Sequence, residues 1–266
     1  MIISHKHKFI FLHVPKTAGS SVSTFFSQYL GDNDILNGWN HPLREGIPYN
    51  KNTLKTVNSK LGLKMVSKAI NLRLKDRKLF ERPIIDYAFR EVLKKKMGTN
   101  SRHATAKHLK NFDKKSWDKY FKFAFVRNPY AHAISCWMWD EEKWPIINNK
   151  RIENKKKLKK EEFIKYLKNL RKKIGKERSY FKIPGNKIYL IDNKISVDFI
   201  GKFENLNKDI IKIQKILKLP KEKIPLKHTK RNTTKNYLKS YSKESKKLVE
   251  EIWKKEFELF NYKYPN

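Results

Sequence analysis

The sequence predicts an α/β fold in which helices cover both faces of a central parallel sheet, giving three layers. Three observations carry that expectation. Two short apolar runs, "KHKFIFLHV" and "YFKFAFV", have the aromatic and β-branched character of buried strands. Each run leads through a short loop into a segment with helical periodicity. Further strand-like and helix-like segments then alternate towards the end of the chain.

Taken in order, "KHKFIFLHV" reads as a strand ended by Pro15. From Ser20, "SSVSTFFSQYL" places Val22, Phe25, Phe26 and Tyr29 at helical spacing, so a helix starts within the loop itself. Residues from about 38 to 100 read as less regular, with "NGWNHPLREGIPYN" a loop and "PIIDYAFREVLKKKM" an amphipathic helix that has Pro83 in its first turn. After the strand "YFKFAFV" and the pair Asn128-Pro129, "YAHAISCWMWDEEKW" reads as a helix. The lysine-rich stretch from about Asn148 to Gly175 reads as a solvated helix packed by Leu158, Phe163, Tyr166, Leu167 and Leu170. "KIYLI" and "VDFIG" read as two more strands, "NLNKDIIKIQKILKL" as a helix capped at Asn205, and "SKESKKLVEEIWKKEFELF" as one final amphipathic helix. No internal repeat is seen, and the whole of 1–266 is expected to form a single domain.

A chain of 266 residues with 39% hydrophobic and 13% aromatic content can fill a sizeable core. It contains no apolar run long enough to span a bilayer, and its N-terminus lacks the pattern of a signal peptide, so a cytoplasmic protein is expected. The lone cysteine, Cys136, excludes an intrachain disulfide and, among Ile134, Trp137 and Met138, reads as packing. Without secretion, the sequon Asn232-Thr233-Thr234 is a chance match. The net charge of +36 implies a surface that attracts polyanions such as nucleic acid, anionic lipid or acidic glycan, without selecting among them. Much of the excess is lysine in stretches such as "NKKKLKKEEFIKYLKNLRKK", which compositional bias would produce equally well, so no specific nucleic-acid partner is inferred.

The chemistry starts with "FLHVPKTAGSS". It is P-loop-like, but in a loop that binds a nucleoside triphosphate the lysine directly follows the last glycine, whereas Lys16 precedes Gly19. Thr17, Ala18, Gly19, Ser20 and Ser21 are small, and their backbone N–H groups can converge on an anion at a helix N-terminus. In "FKFAFVRNPYAHAIS", Arg127 ends a strand and Ser135 lies on the second turn of the next helix, where a guanidinium fork and a hydroxyl make a second phosphate site. Separately these residues read as an ordinary turn, a surface ion pair and a helix back-bond; together they argue for a nucleotide cleft.

"HVPKTAGSS", "VRNPYAHAIS" and "VDFIGKFENL" resemble the sulfotransferases that use 3′-phosphoadenosine 5′-phosphosulfate (PAPS), and within them the carbohydrate branch of heparan and chondroitin type, sulfotransferase family 2. The resemblance runs from the first strand to "LVEEIWKKEFELFNY" and is thin at about 38–100 and 145–185, segments expected to shape the acceptor site. It implies transfer of a sulfuryl group from PAPS to a hydroxyl acceptor, a saccharide and possibly an anionic one. It also implies that the loop holds the 5′-phosphosulfate, with Lys16 at the oxygen bridging phosphorus and sulfur, and that Arg127 and Ser135 hold the 3′-phosphate. His103, in "SRHATA", matches the base for the acceptor hydroxyl, with His108, Glu81 or Asp86 as substitutes; Lys230 and Arg231, in "KHTKRNTT", match a loop near the nucleotide. No metal is expected, because a phosphosulfate carries less charge than a triphosphate and one ammonium with backbone donors can stabilise the leaving phosphate.

Two positions depart from the family's usual arginine: His132 and Lys202, which would weaken the hold on the donor. Trp137, Trp139 and Trp144 read as core or as a platform for a sugar ring. "SHKHK" reads as a basic patch beside a strand, its likeness to a metal cluster being superficial. The alternatives are a polyanion- or nucleic-acid-binding protein with a degenerate nucleotide site, favoured by the charge, and a kinase, which the position of Lys16 argues against.

Overall fold

A computed structural model of the chain describes residues 1–75, 83–142, 146–147, 150–151, 160–173, 185–226 and 241–265. In chain order the strands are β1 (Ile2–Ser4), β2 (Phe9–Leu12), β3 (Ile35–Leu36), β4 (Phe121–Val126), β5 (Ile146–Ile147), β6 (Lys150–Arg151), β7 (Leu190–Ile191), β8 (Lys194–Ile195) and β9 (Phe199–Lys202). The helices are α1 (Gly19–Ser27), α2 (Asn40–Arg44), α3 (Lys51–Val57), α4 (Lys60–Lys75), α5 (Ile84–Met97), α6 (Ala106–Phe112), α7 (Lys114–Lys119), α8 (Pro129–Glu142), α9 (Lys160–Lys173), α10 (Asn186–Tyr189), α11 (Leu206–Ile216), α12 (Lys243–Ile252) and α13 (Lys254–Phe260). These elements fall into two compact units, one of Met1–Val126 with Lys187–Thr229, the other of Arg127–Asn186 with Lys230–Asn266.

The first unit is built on a five-stranded sheet in the order β3-β1-β2-β4-β9. β2, β4 and β9 pair in parallel, while β1 is antiparallel to both β2 and β3, so β1 alone runs against the rest. The sheet is therefore mostly, not wholly, parallel. Every residue of β2 is buried, as its apolar run requires of a strand covered on both sides. Register aligns Phe11 with Phe123, and their rings stack with centroids 5.2 Å apart. Val22, Phe25 and Phe26 of α1 and Leu206, Ile210 and Ile213 of α11 pack into the same aromatic core. Opposite Phe125 stands Gly201, where a Cβ would lie 2.4 Å from the ring, so only glycine fits that point of the sheet.

Several expectations change on folding. Residues 38–100 carry α2 to α5 and are largely helical instead of irregular. Pro83 is the N-cap of α5 and lies just outside its first turn. "KIYLI" is not a strand of the main sheet: it is one turn of helix followed by β7, which among the described residues pairs with β8 in a two-stranded ribbon, where Ser196 closes back onto the Tyr189 carbonyl through both its N–H (3.0 Å) and its hydroxyl (2.8 Å). Asn205 occupies the N-cap of α11 without a side-chain capping bond.

The second unit is helical around Tyr130, Ile134 and Trp137 of α8, Phe163, Leu167 and Leu170 of α9, and Leu248, Val249 and Trp253 from the C-terminal helices. Asn128 starts α8 by accepting the Tyr130 N–H at 3.0 Å, with Pro129 as the first helical residue. Ser242 and Ser245 form a reciprocal capping box at the start of α12. The expected single final helix is two, α12 and α13, broken at Trp253, whose side chain is buried in the core. Trp137 is likewise core and offers no sugar platform; the side chains of Trp139 and Trp144 lie outside the described residues, as do Leu158 and Asn232. Cys136 is buried, as its neighbours suggest.

Candidate active site

The loop after β2 has a backbone few non-glycine sequences adopt. Lys16 and Ala18 both lie in the left-handed region, at φ 63° and 66°, while Pro15 and Thr17 between and before them have negative φ. Such sign alternation curls a chain so that successive N–H groups face one concavity, the geometry that holds anions. Positive φ at two non-glycine residues costs about 1 kcal/mol or more each, a strain that accumulates at binding sites. The Thr17 hydroxyl closes the loop onto the Val14 carbonyl at 3.0 Å. α1 then starts at Gly19 with no side-chain cap and no acidic residue in its first turn, so its positive end is not neutralised by its own sequence.

His13 directly follows β2 and covers this helix start. A Cβ on Gly19 would lie 1.8 Å from His13 Nε2, so the absent side chain of Gly19 is what makes room for the imidazole. His13 is buried, and its Nδ1 has no hydrogen-bond partner among the described residues. Its ring stacks on Phe11, two residues earlier on the same face of β2, at 5.9 Å.

His103 arrives from far along the chain. Asn100 caps the single 3₁₀ turn Ser101–His103 by accepting the Arg102 N–H at 3.3 Å, and the Asn37 amide donates to the Ser101 hydroxyl at 2.6 Å. That turn delivers His103 onto His13, with ring centroids 4.5 Å apart and His103 Nδ1 2.7 Å from the His13 carbonyl. A carbonyl can only accept, so Nδ1 carries the proton and Nε2 of the neutral ring carries the lone pair. Burial, followed by the nearby Arg102 charge, pushes His103 well below the usual histidine range. Burial and the neighbouring His103 do the same to His13. Both rings are thus neutral at physiological pH.

The other expected residues fall in both units. Thr17 and Ser21 are buried in the loop and α1, and Lys16 is half-buried. Arg127 and Ser135 are buried in the second unit, Arg127 directly after β4 in the chain and Ser135 on the second turn of α8, where His132 packs against Trp253 at 5.7 Å. Lys202 ends β9, and its backbone N–H is held by Asp209 at 2.8 Å. Two substitute bases have structural duties instead. Asp86 is buried and accepts the Trp39 N–H at 2.9 Å, and His108 is engaged through Nδ1 with its own helix cap, Thr105, at 2.6 Å. Glu81, Lys230 and Arg231 lie outside the described residues. The sequence reading missed His13, although its place two residues beyond Phe11 on a buried strand face was a signal. It also missed Arg102, whose Nη2 donates to the Ser20 hydroxyl at 3.4 Å.

The model of the Sulfotransferase family matches residues 1–263. The chain belongs to that family. An uncharacterized protein of Archaeoglobus fulgidus is 32% identical over 109 residues, 41% of this chain and 77% of that protein. No solved structure matches. This sulfotransferase is therefore an enzyme that takes a sulfuryl group from a donor and gives it to a hydroxyl acceptor. Among its described residues no helix is long and apolar enough to cross a membrane.

Proposed function

We propose that this sulfotransferase uses PAPS as donor and a saccharide as acceptor, with His103 as the general base. The observation that carries this reading is the His103 Nδ1 bond to the His13 carbonyl at 2.7 Å, which fixes the proton on Nδ1 and makes Nε2 the basic nitrogen of a neutral imidazole packed on the residue that leads into the loop. The loop fits a phosphosulfate: its backbone is curled by left-handed residues at Lys16 and Ala18, the helix start lacks an acidic residue, and a lysine rather than a carboxylate sits within it.

The donor supplies a sulfur bonded to a phosphate oxygen that leaves with the bonding electron pair. In the enzyme, the backbone of Thr17 to Ser21 binds the charged group and the Lys16 ammonium stabilises the negative charge developing on the departing oxygen. His103 accepts the acceptor's hydroxyl proton at Nε2 as the new oxygen–sulfur bond forms in line with the one that breaks. Its depressed pKa keeps the ring deprotonated in the free enzyme. An anion bound in the loop raises that pKa again and restores basicity when the base is needed.

Arg127 and Ser135 hold the 3′-phosphate, with Lys230 and Arg231 as further nucleotide contacts, and no metal is required. In this reading 1–266 is one domain of P-loop-like three-layer type, with the segments at about 38–100 and 145–185 shaping the acceptor pocket. The charge of +36 favours an anionic saccharide.

Incubation with PAPS and a saccharide panel, followed by mass spectrometry, should yield a sulfated product. Lys16→Ala and His103→Ala should each lower turnover by about 10²-fold or more. A folded protein that fails to bind adenosine 3′,5′-bisphosphate in calorimetry would refute the donor assignment.

A further inference from the structure

Arg102, on the 3₁₀ turn that carries His103, has the position hardest to explain structurally. Its Nη2 reaches the Ser20 hydroxyl at 3.4 Å, in the first turn of α1. A helix start already presents surplus N–H donors and needs acceptors, yet a guanidinium has five donors and no acceptor, so Arg102 cannot cap this helix. It adds a fixed positive charge to the positive end of the dipole. No carboxylate lies within ion-pair distance of it among the described residues, and its Nε is buried without a hydrogen-bond partner among them. Its charge also bears on both His13 and His103. Beside it, the buried His13 ring lies against the same turn with Nδ1 unpartnered among the described residues. A guanidinium, a helix start and a buried imidazole converge on Ser20 and Gly19, and no carboxylate among the described residues forms an ion pair with them.

We propose that Arg102 binds the non-bridging oxygens of the sulfuryl group as it is transferred, dividing the work with Lys16 on the leaving oxygen. This rests on the donor reading above. Bond changes are the same: the bridging oxygen–sulfur bond breaks with its pair going to the phosphate, the acceptor oxygen–sulfur bond forms, and the proton goes to His103. Through these steps the sulfuryl oxygens spread negative charge, which a planar, multi-donor cation can meet at two atoms at once in a fixed fork. His103 then follows Arg102 in the chain for a reason, since one short turn places the base and the sulfuryl-binding cation together.

The test separates the sulfuryl group from the nucleotide. Adenosine 3′,5′-bisphosphate lacks the sulfuryl group, so Arg102→Ala and Arg102→Gln should bind it within about threefold of the unaltered protein while kcat with PAPS falls by about 10²-fold. Arg102→Lys, which keeps the charge and loses the fork, should recover only part of that loss, and added guanidinium ion should partly restore Arg102→Ala. Variants that keep kcat within about threefold would overturn the proposal, as would variants that lose bisphosphate binding in proportion to turnover or simply melt at lower temperature. If Arg102→Ala does not fold, the Arg102→Lys comparison of bisphosphate affinity against kcat decides the matter alone. Absence of bisphosphate binding in the unaltered protein would instead sink the donor reading, an outcome distinct from failure at Arg102.

Discussion

His103 combines two properties that pull in opposite directions. A depressed pKa makes it a weaker base, yet it keeps the ring deprotonated where an ordinary histidine would be partly charged. The acid limb of a kcat/KM profile should therefore lie well below pH 6.5, with activity flat between about pH 7 and 8. A limb at or above pH 6.5 in kcat/KM would contradict the environment described. The same depression links to stability: His13 and His103 take up protons more readily when unfolded, so their contribution is full above about pH 6.5 and is lost as pH falls through their lower folded values. Gly19 and His13 are coupled by contact. Gly19→Ala should destabilise by about 1 to 3 kcal/mol through overpacking against the imidazole, and adding His13→Ala should recover a large part of that in a double-mutant cycle by urea unfolding. Additive losses would show that the two residues do not compete for the same space.

At the scale of elements, the loop and α1 are local objects, and their residue types were legible: a β-strand, small residues with a lysine, and apolar positions at helical spacing. β1 was not. Ile2–Ser4 is too short for a pattern, and "HKHK" hides a tight turn with Lys8 at φ 54°. The turn is held by a distant carboxylate: buried Asp34 accepts from the Ser4 hydroxyl and the His5 N–H at 2.7 Å, the Gly31 N–H at 2.9 Å and the Lys6 N–H at 3.1 Å. Asp34→Ala should cost about 2 to 3 kcal/mol in urea unfolding, because it removes at once the acceptor shared by four donors, one of them the buried Ser4 hydroxyl. A loss below about 0.5 kcal/mol would mean that water takes over those bonds. The final helix was misread for a similar reason, since its apolar period continues across Trp253 while the backbone does not.

For the whole molecule, charge and packing give different kinds of information. The excess of lysine is spread over solvated helix faces, and ion pairs such as Lys168–Glu244 at 2.7 Å and Arg171–Glu251 at 2.8 Å are half-exposed, so they contribute little to stability. Buried Glu256 matters more. It accepts from the Asn186 N–H and side-chain amide, both at 3.1 Å, yet burial raises its pKa to about 7. Its folded pKa exceeds its unfolded one, so stability is greatest below about pH 4.5 for this group and is lost as pH rises through about 7, by up to about 3 kcal/mol. Glu256→Gln should flatten the fall in melting temperature between pH 5 and 8; an unchanged slope would assign that fall to other groups.

What the amino-acid order decided unaided is the contiguous chemistry: the strand, lysine loop and helix within residues 11–21, the arginine and serine after the next strand, and hence the family. Those depend on neighbours in the chain and on backbone preferences. What only the folded protein decided is which distant groups meet the loop. His103 reaches the His13 carbonyl across 90 positions, Arg102 comes with it, and His108 and Asp86 are drawn into other bonds. Three of these four are residue types that equally serve as caps or core contacts, and no local pattern tells them apart; burial and the partner each one finds make the choice.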